Sequence, residues 1–176
     1  MVSMDAGTGG IFLNFSARKL EQCSERIVTC LGKLSQDQVW RRGAESENAV
    51  ANLVLHLCGN LRQWIGSGLD GRPDIRERDR EFAARQDTGV PALGALLTER
   101  VRDAAAVLRA LPESRLLEQV TIQGYQMTVL EAIYHVVEHF SHHTGQVLFA
   151  TKQMTAEDLG FYRHLSQPGG HSETTP

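Results

Sequence analysis

Four stretches of this chain bring apolar residues back every three or four positions over several turns, and that recurrence constrains the fold more than anything else in the sequence. Residues 11–34 carry Ile11, Phe12, Phe15, Leu20, Cys23, Ile27, Cys30, Leu31 and Leu34. Residues 46–65 carry Val50, Leu53, Leu57, Leu61 and Trp64; residues 91–111 carry Leu93, Leu97, Val101, Ala104, Leu108 and Leu111; residues 129–153 carry Ile133, Val136, Phe140 and Val147. A period near 3.6 puts each set on one side of a helix and leaves the other side polar. Local signals punctuate the pattern. Ser35-Gln-Asp-Gln38 and Thr128-Val-Leu-Glu131 have the form of capping boxes, Pro91 suits a first helical turn, and Gly66, Gly68, Gly71 and Pro112 end helices. Only Val120–Ile122 and Tyr125–Met127, either side of Gln123-Gly124, read as extended, either as a small hairpin or as two separate extended strands. The expectation is an all-α chain, a four-helix bundle. Its connection over residues 66–88 is longer than antiparallel neighbours require, so the second and third helices are expected to run parallel.

The chain has 176 residues, 41% of them hydrophobic and 22% charged, which fits a single domain, expected over 1–165, with a disordered tail over 166–176. A formal net charge of -3 argues against a nucleic-acid partner, and no apolar run is long enough for a membrane span. Three cysteines, Cys23, Cys30 and Cys58, odd in number and outside paired motifs, favour reduced thiols; with no signal-peptide pattern near Met1, a cytoplasmic location is expected. Exposed apolar rims leave room for a homodimer.

Four of the seven histidines crowd into His135-Val-Val-Glu-His139-Phe-Ser-His142-His143-Thr-Gly-Gln146, and His56 precedes them on the second helix. Imidazole is the commonest protein ligand for transition metals. With His135 at zero and about 100° per residue, His142 falls at about -20°, His139 at about 40° and His143 at about 80°. The apolar side spans about 100° to 200°. His139 and His143 therefore border the core, one turn apart, while His135 and His142 lie toward solvent. His56 borders the apolar side of its own helix, with Asn60 one turn on. Two such rims facing each other would gather His56, His139 and His143, three neutral nitrogens with a coordination position left for water or substrate. His135-Val-Val-Glu-His139 also matches the inverted zinc-protease pattern with Glu138 as base. That reading uses the outward His135 and gives His143 no role. The charged run Asp74–Glu81 reads chiefly as a solvated segment; in a sharper reading its arginines grip an anionic ligand.

Asn52-Leu-Val-Leu-His56-Leu-Cys-Gly-Asn60 followed by the run from His135 to Gln146 resembles the DinB superfamily of small metal-binding helical bundles, over residues 10 to about 155. Trp40 and Asp79-Arg-Glu-Phe82 look like features of one branch of it without assigned chemistry. The resemblance implies an up-down-down-up bundle and a divalent ion (zinc, nickel, manganese or iron) on His56, His139 and His143. Asn60, Gln146, His135 and His142 then become candidates for the surrounding hydrogen bonds or for substrate contacts. Some members of the superfamily transfer low-molecular-weight thiols such as bacillithiol, mycothiol or glutathione. A metal-dependent thiol S-transferase acting on a small electrophile is therefore one expectation, with arginines between 76 and 85 holding the thiol's carboxylates. A non-catalytic metal-binding stress-response bundle and a metal-dependent hydrolase are the others. No catalytic residue beyond the ligands is assigned.

Overall fold

The computed structural model describes residues 7–163, so the expected tail lies outside the described residues. The elements run α1 (Thr8–Leu31), α2 (Gln36–Val39), α3 (Val50–Leu61), α4 (Arg78–Ala83), α5 (Val90–Ala110), β1 (Gln119–Ile122), β2 (Tyr125–Thr128) and α6 (Val129–Thr155). The chain is mostly helical, with one two-stranded sheet. Both capping boxes form. Ser35 Oγ accepts from the Gln38 N–H while Gln38 Oε1 accepts from the Ser35 N–H, and Thr128 and Glu131 exchange the same pair. Each satisfies donors that the first turn of a helix leaves unpaired.

The four long helices share one core: α1 packs on α5 and α6, and α3 packs on the same two. Leu20, Ile27, Leu57, Leu61, Leu97, Leu108, Ile133 and Phe140 are essentially sealed from solvent. β1 and β2 pair antiparallel, Gln119 opposite Thr128 and Ile122 opposite Tyr125. Gln123 and Gly124 both take positive φ (54° and 82°), the backbone of a two-residue turn whose twist suits a hairpin. No helix among the described residues is long and apolar enough to cross a membrane.

Two features depart from the periodicity. The glycines after Ile65 do not break α3 at once; Arg62–Ser67 continue it as a π-helical turn, which keeps Trp64 and Ile65 buried. Residues 70–89 form a strap instead of a loose loop. Its α4 region is pinned to α3 by Asn52, whose amide donates to the carbonyls of Glu81 (2.9 Å) and Ala84 (3.2 Å). Arg42 donates to the Phe82 carbonyl (2.8 Å) and to Asn52 Oδ1 (2.7 Å), and the Trp40 indole donates to the Thr88 carbonyl (3.0 Å).

Candidate metal centre

His56 on α3 and His139 and His143 on α6 come together, each offering one ring nitrogen, with the three atoms within 4.8 Å of one another. His56 Nε2 and His139 Nε2 are 2.9 Å apart. His56 is buried; His139 and His143 are half-buried.

The outer nitrogens are held in a way that orients the inner ones. His56 Nδ1 lies 3.0 Å from Glu81 Oε2. A carboxylate only accepts, so Nδ1 carries the proton and Nε2 presents its lone pair to the cluster. Arg76 Nη2 is also 3.1 Å from His56 Nδ1. Both are donors in this state, and both converge on Glu81 Oε2, which Arg76 Nη2 reaches at 2.8 Å. His143 Nδ1–H donates to Gln146 Oε1 at 2.7 Å, which turns Nε2 of that ring inward, and Gln146 Nε2 donates to His142 Nε2 at 3.3 Å.

Burial, with the charges that His143, His56, His135 and Arg76 would add, pushes His139 down to about 3. Burial likewise holds His143 below the ordinary imidazole value, against the opposing effect of the hydrogen bond it donates to Gln146. At neutral pH both rings are neutral, the state that ligates. Burial alone would raise the Glu81 carboxyl, but hydrogen bonds from Arg76 and His56 outweigh it and hold the group below the usual carboxylate range.

The donor set fits one transition-metal ion. Bonds of about 2.0–2.1 Å to imidazole put ligand nitrogens about 3–4 Å apart, which small ring rotations would reach from the arrangement present. A histidine whose far nitrogen is held by a carboxylate is also the usual outer surrounding of such a ligand.

The other sequence candidates are distributed as follows. Gln146 and His142 are exposed and join the chain of hydrogen bonds behind His143. His135 does not lie out in solvent as the helical count placed it. It is half-buried, its ring 4.3 Å from that of Trp64 and stacked 5.7 Å from that of His139. The count treats α6 alone, whereas the π-helical turn carries the Trp64 indole over that side of it. Asn60 is buried one turn beyond His56, and its Oδ1 has no partner among the described residues. Glu138 lines a separate groove between α1 and α6, beside Phe15 and Tyr134, so the protease pattern does not assemble around it.

The arginines between 76 and 85 are already engaged. Arg76 is buried, with its guanidinium on both oxygens of Glu81 and on Gln63. Arg85 donates to the carbonyls of Phe82, Ala83 and Ala84; Arg78 lies over the Phe82 ring; Arg80 pairs with Glu77. Of these, Arg76 is the one committed to holding the strap against α3, whereas the Arg80 side chain stands 80% exposed.

On sequence alone Arg76 had only an anionic ligand to hold, Asn52, Glu81 and Phe82 stood in motifs without a role at the site, and Arg42 was passed over; the Phe82 ring lies 4.8 Å from that of His56. One signal was present. Gly59 lies within α3 about one turn past His56, and a Cβ there would come within 1.8 Å of Glu81 Oε1 and 3.0 Å of Arg76 Nε. The glycine is the space in which the ion pair rests.

The family described as "Protein of unknown function (DUF1572)" matches residues 8–171. No curated protein matches the chain. Among solved structures, a DinB-like protein, YjoA from Bacillus subtilis, is similar to it at 20% identity and a TM-score of 0.65, over 84% of this chain and 96% of that one. At that identity the likeness speaks for the fold alone. The chain therefore belongs to the DUF1572 family and has a DinB-like fold.

Proposed function

We propose that the protein binds one divalent metal ion on His56, His139 and His143, in a four-helix bundle running up-down-down-up, and that the centre serves transfer of a low-molecular-weight thiol to a small electrophile. The chain course is supported by residue pairs. Cys23 meets Thr144 and Cys30 meets Thr151, so α1 and α6 advance together. His56 meets His139 while Trp64 meets His135, so α3 opposes α6. Glu21 pairs with Arg109 while Val28 and Leu31 line a groove with Val90 and Pro91, so α5 opposes α1.

The observation that carries the metal reading is the orientation of the rings. Glu81 and Gln146 occupy the Nδ1 positions of His56 and His143, which leaves Nε2 of each for a ligand. Held by three neutral nitrogens, a divalent ion would keep its full charge and favour a thiolate over a thiol. The protein's own residues then position and exclude. Arg76 fixes Glu81, Glu81 fixes the His56 tautomer, and the Phe82 ring packs against that of His56. The thiol must come from outside, because Cys23, Cys30 and Cys58 are all buried. In the transfer, a sulfur–carbon bond forms as the electrophile's leaving group departs with its electron pair, and the thiol proton passes to solvent.

Hydrolysis is less well supported, because Glu81 is committed to Arg76 and Glu138 faces another groove. Elemental analysis of protein purified without nickel affinity resin tests the metal reading. One equivalent per chain is expected, lost in His56→Ala, His139→Ala and His143→Ala and kept in His142→Ala. Turnover of an aryl chloride or epoxide with a thiol panel, above that of metal-free protein, tests the chemistry. Stoichiometric metal without any turnover would leave the non-catalytic reading in its place.

A further inference from the structure

A second concavity, of about 380 Å³, opens between α3, α5 and the strap and shares no lining residue with the histidine cluster. That volume lies within the range of small-molecule sites. Leu61 and Val107 supply apolar wall from the two helices, and Pro73 and Ile75 supply it from the strap. Ile75 stands at 57% exposure, a large aliphatic side chain that folding has not covered.

The charge of the lining is one-sided. Arg62, Arg72 and Arg100 contribute to it against a single carboxylate, Asp103. Arg72 spends its Nε–H on Asp70 at 2.7 Å. Arg100 is half-buried and only loosely paired, at 3.5 Å, with its neighbour Glu99. Arg62 forms no ion pair within 4 Å among the described residues, and feels Asp74 only through its charge. Two guanidinium groups with spare donors beside an apolar slot match a carboxylate carried on a hydrocarbon body.

We propose that this cavity binds a small amphiphilic organic anion of the medium-chain or single-ring carboxylate class, its carboxylate on Arg62 and Arg100 and its apolar body between Val107 and Ile75. Gly66 leaves the space for that body. A Cβ built there meets only Arg72 Cδ, at 3.7 Å, so a larger residue is tolerated by the backbone and fills the cavity. The site does not depend on the metal, although Ile75 adjoins Arg76 and the two centres share the strap.

Octanoate is the probe, titrated by calorimetry into metal-free full-length protein, with octanol and octylammonium as neutral and cationic controls. One octanoate per chain is expected, with octanol at least tenfold weaker and no binding of the amine. Arg62→Met with Arg100→Met should weaken octanoate tenfold or more and erase its advantage over octanol. Gly66→Leu should abolish binding while leaving the melting temperature and the metal stoichiometry unchanged. His139→Ala, which removes the metal centre, should leave octanoate affinity as it was. Equal binding of octanol and octanoate, no saturable binding, or affinity unmoved by the arginine pair or by Gly66→Leu would overturn the proposal. So would octanoate binding that disappears with His139→Ala, since that places the carboxylate at the histidines.

Discussion

The Glu81 carboxylate accepts from three donors at once: Nε and Nη2 of Arg76, and Nδ1 of His56. Arg76 and Glu81 have side chains only 3% and 11% exposed, so neither charge can turn to water if the other is removed. Replacing Glu81 with glutamine removes the countercharge and permits the wrong His56 tautomer. Losing such an outer partner typically costs 10–100-fold in metal affinity, and breaking a buried pair costs about 3–5 kcal/mol. Competition with a fluorescent chelator should show the first for Glu81→Gln and thermal melting the second. The thiols give a prediction with a definite sign. Burial pushes Cys23 and Cys30 above their ordinary value, so the unfolded chain ionises first as pH rises. Stability that is intact below the ordinary thiol range is therefore lost above it. Denaturant midpoints from pH 8 to pH 10 should fall less steeply in Cys23→Ala with Cys30→Ala than in the parent protein.

At the scale of elements, α3 and the strap behave as one unit joined at Gly59. Alanine in a helix interior ordinarily gains about 1 kcal/mol over glycine. Here the methyl group would land 1.8 Å from Glu81 Oε1, so the flexible carboxylate has to leave His56. Gly59→Ala should fold yet lose metal affinity by a factor similar to Glu81→Gln. The double variant should be no weaker than Glu81→Gln alone, since both changes break the same contact. At the start of α6, Thr128→Ala removes the acceptor of the Glu131 N–H and should cost about 1 kcal/mol, read from the denaturant midpoint. That cap was legible because it depends on residues three apart. The π-helical turn was not, since it rests on Trp64 and Ile65 reaching a core built by other helices.

At the scale of the molecule, the centre joins two helices whose ligands are separated by 83 positions in the chain. An ion bound there holds α3 to α6 in the folded state only. At a hundredfold excess over its dissociation constant it adds about 2.7 kcal/mol of stability. For a domain of this size that is roughly 5–10 °C in melting temperature. Saturating zinc should raise the melting temperature of metal-stripped protein by that amount, and should leave His56→Ala unmoved.

The four long helices, the two capping boxes, the extended pair at 120–127 and the three converging histidines could be read from residues alone, because each depends on spacing along one helix or on partners a few positions apart. Tertiary structure decided what surrounds them. Glu81 and Arg76 sit in a charged run with no periodicity, and only the descent of the strap into the notch at Gly59 sets them against His56. His135 changed its surroundings for the same reason: a helical wheel knows the angle of a side chain, but not which neighbouring ring will cover it. Contacts between segments far apart in sequence leave no periodic trace in either one, so they become visible only once the chain has closed on itself.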